Sequence, residues 1–439
     1  MHNIMNSPIQ LTSVHLRNYR CHRDLQVDFD AQFSVIVGVN GSGKTALLRG
    51  VCDALVGLTH MRVTSPWQGL IDQPDTAFEA VQSAGTRLRF EPIYPVSVHA
   101  QGVADGAVRH WCVIKQDEIN PAKIDHANYD EFSPSRIDNG KAQALTLPLM
   151  LFYRANRNWP PHPVDPMQAA TQKLSRADAY ANWTDASSTN AALQTWVLGK
   201  SLERVQLSSE RGVGLHEIDD DELAQVNAAL TLALPECRGL RFDLLRKSVL
   251  VDWLTDDRIE TVPFENLSDG QRTIVGLVAD IARRMCILNP QLGTEVTART
   301  PGVILIDELD VHLHPKWQRL IAGGLQRAFP LAQFITASHS PQILGELKPE
   351  QIILLRPGRT AHPDVSYGLD AGQVLSEVMD AEPRAIEVSL LLADLFKSLE
   401  RGELASARRQ IDQLRHTAPG IPELTGAEAL LLRKEVLGR

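Results

Sequence analysis

Between the apolar run Phe33 to Val39 and a helical pattern through Leu47, Leu48, Val51 and Leu55 lies Gly38-Val39-Asn40-Gly41-Ser42-Gly43-Lys44-Thr45. No other stretch restricts the fold of this chain as much. It satisfies GxxxxGK[ST] in the strand, loop and helix context that the motif needs. Glycines let the backbone curl so that successive N–H groups point at phosphate oxygens beside a positive helix N-terminus. Asn40, Gly41, Ser42 and Gly43 would form that cradle, Lys44 would reach the β- and γ-phosphates, and the Thr45 hydroxyl would ligate Mg²⁺. The bland alternative is a glycine-rich turn that binds nothing, and the lysine in this context argues against it. A continuous apolar strand feeding such a loop belongs to an α/β fold with a buried sheet.

A second constellation is Val303 to Asp310, VILIDELD. Four apolar residues make a buried strand, and two carboxylates follow where the strand ends, at the ligand-binding edge of an α/β sheet. Asp307 would hold Mg²⁺ through water, and Glu308 would orient or deprotonate an attacking water. The alternative is an acidic turn at a strand end. A third is ENLSDGQR, Glu265 to Arg272, which opens a helix. Ser268, the N–H groups near Gly270, and Gln271 would form a second anion-binding helix start, or else Ser268 is simply a helix cap. A fourth is His339, directly after the apolar strand QFITAS and placed to contact a γ-phosphate. A lone histidine is more often a satisfied structural residue.

The order of the four pieces resembles an ABC-type ATPase head of the branch that holds the SMC and RecF proteins. That resemblance implies bound ATP and Mg²⁺. It also implies head dimerisation, with Ser268 to Gln271 of one head completing the nucleotide site of the other and His339 sensing the γ-phosphate. Asp269 stands where the first glycine of LSGGQ would be. The family's polar loop after a further strand maps nearest to Leu149 to Arg157, LMLFYRANR, which contains no Gln to assign as a metal ligand. LRNYRCHRDLQVDF resembles the opening hairpin of RecF-type heads, where Arg17 to Arg20 would pack on the adenine or form a basic surface turn. The phrase DELDVHLHPKWQ, Asp307 to Gln318, is similar to compact ATPases of bacterial phage defence, including OLD-family heads and the ATPase subunit of Septu. That similarity implies a homodimer or higher oligomer that controls a separate effector subunit, an HNH-type nuclease, with nucleic acid as a further partner. The alternative is a RecF- or SMC-like repair ATPase that binds DNA and loads other factors. His312 and His314 suit hydrogen bonding better than a metal.

Composition narrows the class further. The 439 residues carry 44 Lys plus Arg against 53 Asp plus Glu, a net charge of -9, which excludes a uniformly basic nucleic-acid coat. Five scattered cysteines without CxxC exclude a disulfide scaffold and a zinc ribbon, and fit a reducing cytoplasm. No signal peptide and no membrane-spanning run are evident. The expected organisation is an α/β ATPase head with an N-terminal lobe over 1–160, a helical insertion over 161–235, a C-terminal lobe over 236–368, and a helical tail over 369–439. Strands are expected at Ile9 to Leu16, Leu25 to Phe29, Arg87 to Phe90, Tyr94 to Val98, Val108 to Lys115 and Leu147 to Tyr153. A pair of strands is expected within Phe242 to Trp253, and loops at Arg62 to Thr86 and Asp117 to Asn139. Between Thr45 and Leu267 no sustained heptads occur, so no coiled-coil arms are expected, nor is an acidic nuclease domain expected after Thr336. In the tail, Ile386, Leu390, Leu391 and Leu395 pair with Leu404, Ala407, Ile411 and Leu414 as two stripes of a hairpin. Such a tail either packs on itself or docks the effector.

Overall fold

The computed structural model describes residues 9–59, 71, 75–82, 88–104, 107–125, 145–157, 159, 165–188 and 190–437. Strands β1 (Gln10–Tyr19) and β2 (His22–Asp28) form a hairpin in which pairing runs to Tyr19 and His22. The connection is shorter than the strands expected at Ile9 to Leu16 and Leu25 to Phe29 imply, because Arg20 takes a φ of 50° and closes the hairpin in two residues. Then come β3 (Phe33–Val37), the phosphate loop and helix α1 (Lys44–Thr59). Strands β4 (Phe78–Gln82) and β5 (Leu88–Pro92) pair with each other. Strands β6 (Val96–Ala104), β7 (Ala107–Lys115) and β8 (Lys123–Asp125) join the first hairpin in an antiparallel sheet ordered β2-β1-β6-β7-β8. Within the two segments expected to be loops, the described residues contain β4 and β8, with 71, 75–77 and 117–122 outside strands; residues 62–70, 72–74, 83–86 and 126–139 lie outside the described residues.

Helix α1 lies against this sheet. A Cβ at Gly50 would stand 2.7 Å from a methyl of Leu16, and the Trp111 indole N–H donates to the Ala54 carbonyl at 2.8 Å.

Strand β9 (Leu149–Tyr153) leads into the helical segment, α2 (Pro166–Thr171), α3 (Asn190–Arg211) and α4 (Glu222–Ala233). Asp165 and Asp221 cap α2 and α4 by accepting from the N–H groups of Met167 and Ala224. Next is a meander of β10 (Cys237–Asp243), β11 (Ser248–Thr255) and β12 (Arg258–Pro263). Only two of its strands are legible in the text, since β12 is an edge strand with no buried face and its residues RIETVP carry little apolar pattern. The chain continues through α5 (Asp269–Leu288), α6 (Val296–Arg299), β13 (Gly302–Ile306), α7 (Pro315–Ala328), β14 (Ala332–Ala337), α8 (Pro341–Leu344), β15 (Ile352–Arg356) and β16 (Arg359–Ala361).

The second sheet is ordered β16-β15-β3-β14-β13-β9, with every pairing parallel except that of β16. Strands β3, β9, β13 and β14 are buried along their whole length, as strands covered on both faces must be. Helix α5 is buried from Thr273 to Leu288, and Gly276 lets the Trp159 ring approach so closely that a Cβ would stand 2.5 Å from it. Its Asp280 is fully buried and accepts from the Tyr153 hydroxyl at 2.8 Å, Arg283 at 2.7 Å and Arg284 at 2.8 Å. The remaining Arg284 donors reach the Ala179 and Ala181 carbonyls, which ties the helical segment to α5 and β9.

The chain divides into two compact units, Met1–Asp370 and Ala371–Arg439. The second contains α9 (Ala371–Glu377), α10 (Ile386–Arg401), α11 (Leu404–Thr417) and α12 (Pro422–Leu437). Leu392, Leu395 and Leu399 pack with Ala407, Ile411, Leu414, Leu424, Ala427 and Leu431 into a core of its own. The second expected stripe holds. Of the first, Leu395 is buried and Leu391 packs against the core, while Ile386 and Leu390 stay exposed at 70% and 61% and Leu392 and Leu399 take up the buried face.

Removing the Asp280 carboxylate leaves two buried guanidinium groups facing each other. Asp280→Ala should therefore cost about 3–5 kcal/mol, whereas Tyr153→Phe, which removes one of several hydrogen bonds to Asp280, should cost about 1 kcal/mol. Urea unfolding midpoints in the order wild type, Tyr153→Phe, Asp280→Ala would bear this out; equal midpoints would show that the cluster contributes nothing.

Candidate active site

All five parallel strands point their C-terminal ends the same way, so the loops after β3, β9, β13 and β14 emerge at one edge of the sheet. Those loops carry the phosphate-loop residues, Arg154 to Arg157, Asp307 and Glu308, and His339. The phosphate loop takes positive φ at Gly41 (81°) and Gly43 (95°), which its tight curl requires. Gly43 is also walled in, since a Cβ there would lie 2.5 Å from the Cys21 sulfur and 2.6 Å from the His22 ring. The hairpin turn therefore touches the cradle directly, and His22 bonds the Gly43 carbonyl at 3.0 Å.

The Lys44 ammonium donates to the Gly38 and Val39 carbonyls at 2.9 and 3.2 Å. Burial holds its pKa below the ordinary lysine value, against the opposing pull of Asp307, Glu308 and Asp310. The Thr45 hydroxyl donates to Asp307 at 2.8 Å, joining residues 262 positions apart. An alcohol oxygen and a carboxylate in contact at the head of a helix form an oxygen donor set suited to Mg²⁺, so this pair could hold the ion the sequence implies.

Glu308 adopts a φ of 49°, which is strained for a residue with a Cβ. Arg157, 2% exposed, holds this turn. Its guanidinium donates to the Asp307 carbonyl and, at 2.8 Å, to the Glu308 carbonyl. Burial brings the Arg157 pKa down to about 10, which leaves it charged at neutral pH. The turn is tied further by Leu309 N–H donating to the Ala337 carbonyl, and by Asp310, which accepts from the Ser338 hydroxyl at 2.6 Å and the His339 N–H at 3.2 Å. His339 is thus fixed through its backbone to the segment that carries Glu308. Sequence reasoning assigns no role to Arg157 or Asp310. A basic residue shortly after a buried strand and a third acid after the DE pair are the only signals they leave.

Ser268 caps α5, accepting from the Gln271 N–H at 3.3 Å while the Gln271 side chain accepts from the Ser268 hydroxyl and N–H in return. The cap reading is the geometry observed, and Ser268 remains exposed. Gly270 is packed against the His312 carbonyl, where a Cβ would stand at 2.2 Å. His314 accepts from the Lys316 N–H at the start of α7 and packs on Trp317. Among the described residues no group of three or more His, Cys, Asp or Glu side chains is arranged to hold a metal, and no helix is long and apolar enough to cross a membrane.

A family described as "AAA domain" matches residues 13–195, and one described as "AAA domain, putative AbiEii toxin, Type IV TA system" matches residues 147–345. The first match contains the phosphate loop and the second contains Asp307, Glu308 and His339. Over these two stretches the chain is similar to AAA domains, each match spanning less than half of it. The "Retron Vc95 probable ATPase" of Vibrio cholerae serotype O1 biovar El Tor is 38% identical over 143 residues, 31% of this chain and 27% of the relative. The "Retron Ec83 probable ATPase" of Escherichia coli is 25% identical over 399 residues, 80% of this chain and 72% of the relative. The "Septu protein PtuA" of Bacillus thuringiensis is 28% identical over 171 residues, 37% of this chain and 43% of the relative. The match thus spans about a quarter of the Vibrio relative and less than half of the Bacillus one. The SMC head domain from Thermotoga maritima aligns with 80% of this chain and 98% of its own, at 12% identity and a TM-score of 0.41.

Lys44→Ala removes the loop's side-chain cation. ATP affinity, measured by calorimetry with Mg²⁺ present, should fall by at least about tenfold. An unchanged affinity would show that the loop does not bind the triphosphate.

Proposed function

We propose that this protein is an ATP-driven switch: it binds Mg²⁺ and ATP at the sheet edge, pairs two heads around the nucleotide, and by hydrolysis controls a separate effector subunit. The observation that carries the reading is the joint placement of the Thr45–Asp307 pair, the Glu308 turn clamped by Arg157, and the phosphate loop. When bound, the ion would neutralise charge on the transferring phosphoryl group. Asn40 to Lys44 bind and orient the triphosphate. Glu308 takes the proton of the attacking water as its oxygen bonds to the γ-phosphorus; the bond to the bridging oxygen breaks and ADP leaves with the electron pair. His339, tied to the same segment through Asp310, reports the γ-phosphate.

Pairing of heads is supported by the exposed cap at Ser268 to Gln271. Self-capped in one chain, it presents the N-terminus of a 20-residue helix at which a second chain's phosphate could bind. The retron and Septu relatives favour a defence setting over DNA repair; an HNH-type nuclease as the controlled partner is what the resemblance of DELDVHLHPKWQ implies.

Glu308→Gln keeps size and hydrogen bonding but removes the base. ATP should still bind, phosphate release should fall by roughly 10²-fold or more, and ATP should convert the variant into a stable dimer by light scattering. Turnover within twofold of wild type would remove Glu308 from the role of base, and a chain that stays monomeric with ATP would remove head pairing.

A further inference from the structure

Helix α10 of the second unit is apolar on two sides. One side enters that unit's core through Leu392, Leu395 and Leu399. On the other, at spacings of four, three and four residues, stand Ile386, Leu390, Ala393 and Lys397, all exposed, with Ile386 at 70% and Leu390 at 61%. A helix that is apolar all round has a second surface to cover. The charges along this stripe also lack counterparts. Elsewhere in the unit, Arg384, Arg408 and Arg415 each pair with a glutamate of α12. Glu387 and Lys397, towards the two ends of the stripe, enter no ion pair among the described residues.

We infer that this face of α10 is a self-association surface that takes α10 of a second copy of the chain, antiparallel and across a two-fold axis. The order of residues along the stripe selects that occupant. Acid stands in its N-terminal half and base at its C-terminal end, so antiparallel pairing brings Glu387 of each copy to Lys397 of the other. Parallel pairing would set like charges together. The same two-fold places Leu390 opposite Ala393 of the second copy, so a large side chain meets a small one twice over. Asp394, exposed beside the stripe, falls at the rim, where a charge keeps its water. One helix face covers less than the about 1,200 Å² of a stable complex, so the contact is weak, with a dissociation constant of order 100 µM. The dilute chain therefore stays monomeric until nucleotide pairs the heads. The inference goes beyond that pairing, because it needs no nucleotide.

The test is sedimentation velocity of the full chain without nucleotide, from about 5 to about 500 µM. Head pairing, which needs ATP, is silent there, so its failure and the failure of the α10 contact are read separately. Wild type should pass from monomer to dimer across the range. Leu390→Asp changes a residue already in water, so it should fold normally by circular dichroism and stay monomeric throughout. Glu387→Lys and Lys397→Glu should each weaken association by at least about threefold, and the variant carrying both should recover wild-type affinity within about twofold. Association that Leu390→Asp leaves intact, or a double reversal weaker than either single one, overturns the assignment. A chain that is monomeric at every concentration overturns it as well.

Discussion

Parallel pairing in one register is the constraint on which the site depends. Once Ile306, Tyr153, Thr336 and Val35 sit side by side in the sheet, the residues that follow each strand have no choice of edge. Chemistry contributed by positions more than 250 residues apart then meets within hydrogen-bond distance, as Thr45 and Asp307 do. The antiparallel sheet and its hairpin contribute in a different way. They press on α1 from one side and place Cys21 and His22 against Gly43, so the curl of the phosphate loop is shaped by packing as well as by its glycines.

The two buried ionic features serve different ends. Asp280 with Tyr153, Arg283 and Arg284 joins helix, strand and the 3₁₀ turns after α2, and every member has a partner, which is the condition under which charge survives in a core. Among the described residues, Arg157 hydrogen-bonds no carboxylate. It donates to backbone carbonyls, those of Arg154 and of the two acids Asp307 and Glu308. Its charge thus fixes the backbone of Asp307 and Glu308 while leaving their side chains free for other work.

Much of this arrangement is readable in the sequence where chemistry is written in consecutive residues. The phosphate loop, the DE pair after VILI, the Ser cap and the strand before His339 each occupy a short unbroken segment, and the structure puts each where its local pattern says. What escapes is chemistry assembled by tertiary contact. Nothing in LMLFYRANR distinguishes Arg157, which is buried, from Arg154, which stays half-exposed beside Asp185. The strand β15, IILLR, leaves an apolar run too short to tell strand from helix, and edge strand β16 has no buried face to betray it. The tail shows a related limit. Leucines are so frequent from Leu390 to Leu399 that more than one stripe fits helical spacing, and only packing with the helices that follow decides which of them are covered.

The absent side chain of Gly270 has a mechanical consequence. With a Cβ position only 2.2 Å from the His312 carbonyl, the start of α5 and the turn beyond the acidic pair are in backbone contact. His312 itself sits at a φ of 63°. Any side chain at position 270 would force the two segments apart, so the start of α5 can rest on the turn beyond the acidic pair only because that position carries no Cβ.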